Sequence, residues 1–120
     1  MPVVNIIYNP AKGIEKEASK IADVLPAIIA KTLSIPGHPR ADLTEEDTEV
    51  RIARCSGLDI NPPGLAIEIR ANEYEGRKAN LDERTAEIVE LIKESEAWSE
   101  NLNGNAYVWV MLMPASFIAF

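Results

Sequence analysis

With one cysteine and one histidine in 120 residues, this chain has little capacity for thiol or metal chemistry. Cys55 has no second thiol to pair with, so an internal disulfide is excluded. One thiol and one imidazole, His38, are too few for a dedicated soft-metal site, and no metal is expected. Cationic residues are also scarce. Lys and Arg number 12 against 19 Asp and Glu, a formal net charge of -7. Such a surface repels a phosphate backbone, which argues against a nucleic-acid partner. Long apolar runs are missing as well. The run from Ala106 to Met113 stops at Pro114, far short of the roughly 20 residues needed to span a bilayer. The first apolar run follows Met1 with no basic segment before it and is interrupted by Asn5 and Asn9. That is not a leader pattern, and a cytoplasmic location is the expectation.

What remains is 47% apolar and 26% charged, the composition of one compact domain over residues 1–120. Val3 to Tyr8 is β-branched and ends at Asn9-Pro10 and Gly13, which predicts a buried strand closed by a turn. From Glu15 on, Ala18, Ile21, Ala22, Leu25, Ile28, Ile29 and Leu33 recur at helical spacing. Pro26 inside that stretch predicts a kink or two shorter helical pieces. After a loop from Pro36 to Asp47, the alternation over Glu49 to Cys55 predicts a strand with Val50, Ile52 and Ala53 packed inward.

Asn61-Pro62-Pro63-Gly64 is the strongest punctuation in the chain. After it, Leu65 to Ala71 alternates Leu65, Ile67 and Ile69 against Ala66, Glu68 and Arg70, a strand with one dry face. Asn80 and Glu83 predict a capping box. The stripe Leu81, Thr85, Ile88, Val89 and Ile92 predicts a helix ending near Ala97. The nearly uncharged Ala106 to Met113 predicts a strand covered on both faces.

The order strand, helix, strand is thus repeated, with pseudo-repeats at 2–56 and 64–120. Two βαβ units joined side by side predict an α/β (α+β) fold, a four-stranded mixed sheet with both helices on one face. The other sheet face stays bare, and an apolar last strand with no helix to cover it predicts burial against another copy of the chain.

Met1-Pro2, the duplicated βαβ pattern and the segment Glu75-Gly76-Arg77 after the third strand together resemble the tautomerase superfamily. The resemblance covers nearly the whole chain and implies a fused double unit that assembles as a homotrimer. In short tautomerases an arginine after the first strand binds a substrate carboxylate. Arg77 matches it in the second unit, while Asn9 to Gly13 has replaced it in the first. Val50-Arg51-Ile52 is similar to the second-strand segment that supplies a further arginine. Within the superfamily the layout is similar to the cis-3-chloroacrylic acid dehalogenases, sharing Glu75-Gly76-Arg77 and Met113-Pro114-Ala115. Several of their catalytic groups are replaced. Ala30 stands for a helix histidine, Tyr74 for a second arginine and Trp109 for a strand tyrosine, and the water-activating glutamate falls near Phe120. These replacements argue against hydrolytic dehalogenation.

The resemblance implies cofactor-free chemistry on a small unsaturated 2-oxo or 2-hydroxy carboxylate, with Pro2 as general base. A free α-amine has an ordinary pKa of about 7.7–8.0, and burial beside cations lowers it toward neutrality. Arg77 can grip the carboxylate, Arg51 or Arg70 can polarise the 2-oxo group, and Tyr74, Trp109 and Phe117 can form the wall. Arg51 and Arg54, three apart on one strand, fall on opposite faces, so Arg51 is preferred. Two alternatives stay open. A protonated Pro2 would act as an acid in hydration, dehalogenation or decarboxylation, and a retained Met1 would make its nitrogen an amide and leave a non-enzymatic trimeric binding protein.

Overall fold

The computed structural model describes all residues from Met1 to Phe120. Four strands form one sheet: β1 (Val3–Tyr8), β2 (Glu49–Arg54), β3 (Leu65–Asn72) and β4 (Ala106–Met113). Three helices accompany them: α1 (Glu15–Thr32), the single turn α2 (Glu75–Lys78) and α3 (Leu81–Glu94). The strand order is β2-β1-β3-β4, parallel in each outer pair and antiparallel between β1 and β3. Each parallel pair is bridged by a long helix, the crossover that parallel neighbours require. This is the duplicated βαβ architecture expected, a mixed sheet with α1 and α3 packed together on one face.

The core lies between those helices and the even face of β1. Val4, Ile6 and Tyr8 pair with Ile69, Ile67 and Leu65 of β3, and all six are buried. Against them α1 sets Ala18, Ile21, Leu25, Ile28 and Ile29, and α3 sets Ile88 and Ile92. Burying such side chains at about 1.5–3 kcal/mol each outweighs the modest helix propensity of the isoleucines.

Local chemistry sets the turns. Asn9 accepts a hydrogen bond at Oδ1 from the Ala11 N–H, 3.0 Å, and Gly13 takes φ 67°, which frees the chain to enter α1. At the second unit Gly64 meets the β4 turn so closely that a Cβ there would stand 2.6 Å from the Asn105 carbonyl oxygen. The Leu65 N–H donates to that same oxygen at 2.8 Å.

Several local expectations change. α1 runs unbroken through Pro26, because Ile21 and Leu25 before it and Ile28 and Ile29 after it are all locked in the core. Asn80 makes no cap. Its Oδ1 accepts from Arg84 Nε at 2.7 Å, and α3 stops at Glu94, where the Ser95 hydroxyl takes up the Ile92 carbonyl at 2.7 Å. On β2, Ala53 is exposed and Ile52 keeps 45% of its surface, because this edge strand lies beyond the reach of the helix pair; only Val50 packs against the core. In the single chain β4 is covered on one side alone. Tyr107 and Met113 are each 45% exposed and Trp109 57%, all on the bare face. No helix is long and apolar enough to cross a membrane.

Candidate functional site at the N-terminal end of the sheet

Continuing the β1 register by one residue sets Pro2 between Thr48 on one side and Ala71 on the other. The Glu49 N–H donates to the Pro2 carbonyl at 3.2 Å, which fixes that pairing. Pro2 is buried and Met1 exposed. Two hollows meet at Met1. One, of about 560 Å³, is walled by Asp47, Asn72, Tyr74, Phe117 and the loop residues Arg40 and Asp42. The other, of about 290 Å³, opens on the bare sheet face beside Asn5, Arg51, Arg70 and Phe117.

The α-amine of Met1 is pushed below its ordinary value, first by burial and then by the positive charge of Arg77, with Asp47 pulling the other way. Arg77 itself is 2% exposed. Burial is also the main cause that lowers its pKa. Its Nε donates to the Leu33 carbonyl at 2.9 Å, its Nη1 to the Asn72 carbonyl at 3.0 Å, and the guanidinium lies 5.2 Å from the centre of the Tyr74 ring. Asn72 follows the residue that flanks Pro2, so this bond carries Arg77 to the N-terminal end of the sheet. Arg77 has no carboxylate partner; the ion pairs of the chain are Arg51–Glu49 and Lys78–Glu73. Its Nη2 makes no hydrogen bond. A buried cation with two carbonyl dipoles and one aromatic face for compensation is costly to maintain, and an incoming anion relieves that cost.

Tyr74 stands beside this group and packs on His38, ring centres 4.5 Å apart, while its hydroxyl accepts from Asn72 Nδ2 at 3.3 Å. Arg70 is exposed at the smaller hollow without an ion pair. Arg51 reaches the same hollow but is held by Glu49 through two bonds of 3.1 Å. Phe117 lies between both hollows. Trp109 lines neither. It sits on the bare face in the row Arg51, Asn5, Glu68, Trp109, the farthest strand from β2. Within the single chain the order β2-β1-β3-β4 puts two strands between it and Arg51.

Sequence reasoning missed Arg84. Its Nη1 donates to the carbonyls of Thr32 and Ser34 at 2.7 and 3.1 Å and its Nη2 to Gly76 at 3.1 Å, tying α1 to the turn that presents Arg77. Its spacing four residues after Asn80 was the available signal. A third hollow, of about 350 Å³, lies between α3 and β4, lined by Val89, Ile92, Trp98 and Tyr107 with Lys93 at its side. Eight of its 11 lining residues are hydrophobic and Lys93 is its one ionisable cation, so the N-terminal end carries the more reactive groups.

No protein-family model matches the sequence, and no curated protein does. Solved structures do match in shape. A macrophage migration inhibitory factor-like protein from Entamoeba histolytica aligns at 16% identity over 94% of this chain and 89% of its own, TM-score 0.52. A member of the cis-3-chloroacrylic acid dehalogenase family aligns at 13% identity over 93% and 75%, TM-score 0.51. A fused 4-OT symmetric trimer aligns at 10% identity over 93% and 85%, TM-score 0.53. All three are tautomerase-superfamily proteins, and the chain has their fold.

Proposed function

We propose that this protein is a cofactor-free tautomerase or isomerase of small unsaturated 2-oxo or 2-hydroxy carboxylates, with Pro2 as general base once Met1 is removed. The observation that carries the reading is Arg77: a buried guanidinium with no acid of its own, close enough to the N-terminus that its charge acts on the amine of Met1, one residue from Pro2. An amine neutral near pH 7 can take a proton from the carbon next to a carbonyl and return it elsewhere on the conjugated chain, a transfer worth ~10²–10⁴-fold. Nη2 of Arg77 makes no hydrogen bond within the chain and is the edge assigned to the substrate carboxylate, which must reach it past Tyr74 because Arg77 lines neither hollow. Arg70, unpaired at the adjoining hollow, suits the 2-oxo group or a second carboxylate, and Arg51 becomes available when it leaves Glu49. Tyr74 and Phe117 exclude water from the reacting carbon. Pro2 is buried and stands one residue deeper in the same surroundings, and burial beside a cation favours a neutral amine, the base form, over the acid that hydration, dehalogenation or decarboxylation would need.

A homotrimer in the cytoplasm is part of the same proposal. The uncovered Tyr107, Trp109 and Met113 supply an apolar surface for assembly, and the fused 4-OT of matching fold is a trimer.

Intact mass spectrometry comes first, with loss of one methionine expected; a fully retained Met1 removes the base. The processed protein is then assayed for ketonisation of phenylpyruvate or 2-hydroxymuconate. Pro2→Ala and Arg77→Ala are each expected to lower kcat/KM by 10²-fold or more. Undiminished activity in both variants would falsify the reading.

A further inference from the structure

Thr48 ends the loop before β2 and is 9% exposed, yet its hydroxyl oxygen is buried and has no hydrogen-bond partner. Buried hydroxyls are satisfied in the great majority of cases, so an orphan of this kind calls for a missing partner. Its place in the sheet indicates which. Val4 stands beside Val50 and Val3 beside Glu49 in the parallel ladder, so Pro2 stands beside Thr48. The Glu49 N–H to Pro2 carbonyl bond belongs to that pairing. Even-numbered residues of both strands face the helices, and Thr48, extended at φ -106° and ψ 122°, shares that face with Pro2. While Met1 is attached, the Pro2 nitrogen is a tertiary amide with no hydrogen to give. Loss of Met1 turns it into a secondary amine, which carries one N–H when neutral and two when protonated.

We infer that the Thr48 hydroxyl is the hydrogen-bond acceptor for the processed Pro2 amine, positioning its lone pair toward the substrate hollow and holding the ammonium that forms when it takes a proton. The inference rests on the reading of Pro2 as base. The charged groups around this end of β1 are Arg77 and Asp47, which act on the Met1 amine one residue away, Arg40 and Asp42 across the larger hollow, and Arg51 and Arg70 across the smaller. None occupies the Thr48 oxygen. An acceptor favours the protonated amine, so it opposes Arg77 and keeps the base strong enough to work.

The test uses processed protein with ¹⁵N-labelled proline. Thr48→Val keeps shape and removes the hydroxyl, while Thr48→Ser retains it. The Pro2 amine is titrated by NMR, and kcat/KM for ketonisation is measured against pH. Thr48→Val is expected to lower the amine pKa by about half a unit to one unit and kcat/KM at its plateau by roughly 5- to 20-fold, with Thr48→Ser restoring both. An amine pKa that is unmoved or raised in folded Thr48→Val overturns the inference, even if that variant is slower or less stable. The titration reads the contact without activity, so full activity in Pro2→Ala would sink the base reading and leave the Thr48 contact separately decided.

Discussion

Arg77 and Arg84 together bind three consecutive carbonyls at the end of α1: Arg84 takes those of Thr32 and Ser34, and Arg77 takes that of Leu33 between them. The last carbonyls of a helix have no partner within it, and the negative end of the helix dipole collects there. Two guanidinium groups from the second unit therefore fasten the helix of the first. Arg77 lines neither hollow beside Met1, but its charge reaches the Met1 amine, so the residue that fastens the frame also acts on the N-terminus.

The two arginines should respond differently to removal. Arg84→Met loses bonds to three carbonyls and to Asn80, two of them at 2.7 Å, and is expected to cost about 2 kcal/mol in urea unfolding. Activity should fall only as far as the α2 turn loosens, seen as a raised KM. Arg77→Met should lower kcat/KM at least 10²-fold while the melted fraction at assay temperature stays small. Arg77→Lys is not expected to rescue it, because one ammonium cannot serve two carbonyls and still present a fork to a carboxylate.

The rate should depend on pH through the terminal amine, and two substitutions should move that dependence in opposite directions. The Met1 amine is depressed by burial and by Arg77 and raised by Asp47, and the Pro2 amine that replaces it on processing stands one residue deeper between the same two charges. As a base it works when neutral, so kcat/KM should rise with pH and level off once the pH passes an amine pKa lying below the ordinary range of about 7.7–8.0. Removing the Arg77 charge eases protonation, so the ascending limb in Arg77→Gln should shift to higher pH. Removing the Asp47 charge does the reverse, and Asp47→Asn should shift it to lower pH. A common shift in one direction would show that the amine is not the titrating group.

How much of this could be read in advance depends on whether the signal was local. The strands β1, β3 and β4 and the helices α1 and α3 follow from periodicity and punctuation, because side-chain alternation and helical spacing are properties of neighbouring residues. The parallel-antiparallel-parallel sheet follows from their order. β2 was harder. Its alternation is sound, but only the finished sheet shows that Ile52 lies at an edge past the helix pair. The cap at Asn80 failed for a related reason, since Arg84 one turn later claims its oxygen. Arg77 could be singled out by resemblance, but its partners could not. They are backbone carbonyls, one of them 44 residues away, and a backbone carbonyl leaves no trace in residue type. Thr48 carries no pattern at all, and only the register against Pro2 gives it meaning.

Gly64 offers a stability test independent of the site. A methyl group there would sit 2.6 Å from the Asn105 oxygen and 2.9 Å from its Cβ, both fixed by the turn into β4. Gly64→Ala must push that turn away and weaken the Leu65 N–H bond to the same oxygen. A loss of about 1–3 kcal/mol is expected, read as a lower urea midpoint with an unchanged slope. Gly57→Ala, where an added Cβ meets nothing, should change stability far less.

The bare sheet face should decide the assembly. Tyr107, Trp109 and Met113 of β4 point away from the helices, and Trp109 leaves 57% of its surface open in the single chain. Their registered neighbours on that face include Ala66 and Glu68 of β3, so the exposed aromatic edge passes into a polar centre. An interface built on such an edge depends on the aromatic groups, and a charge placed among them is left buried without a partner, at a cost of about 2–5 kcal/mol per subunit contact. Trp109→Glu is therefore expected to convert a trimer into monomers in analytical ultracentrifugation at micromolar concentration while far-UV circular dichroism stays unchanged. Arg70→Glu, on the same face at the smaller hollow, should leave the mass unchanged. If Trp109→Glu sediments as a trimer, the contact lies elsewhere and the open face of β4 faces water.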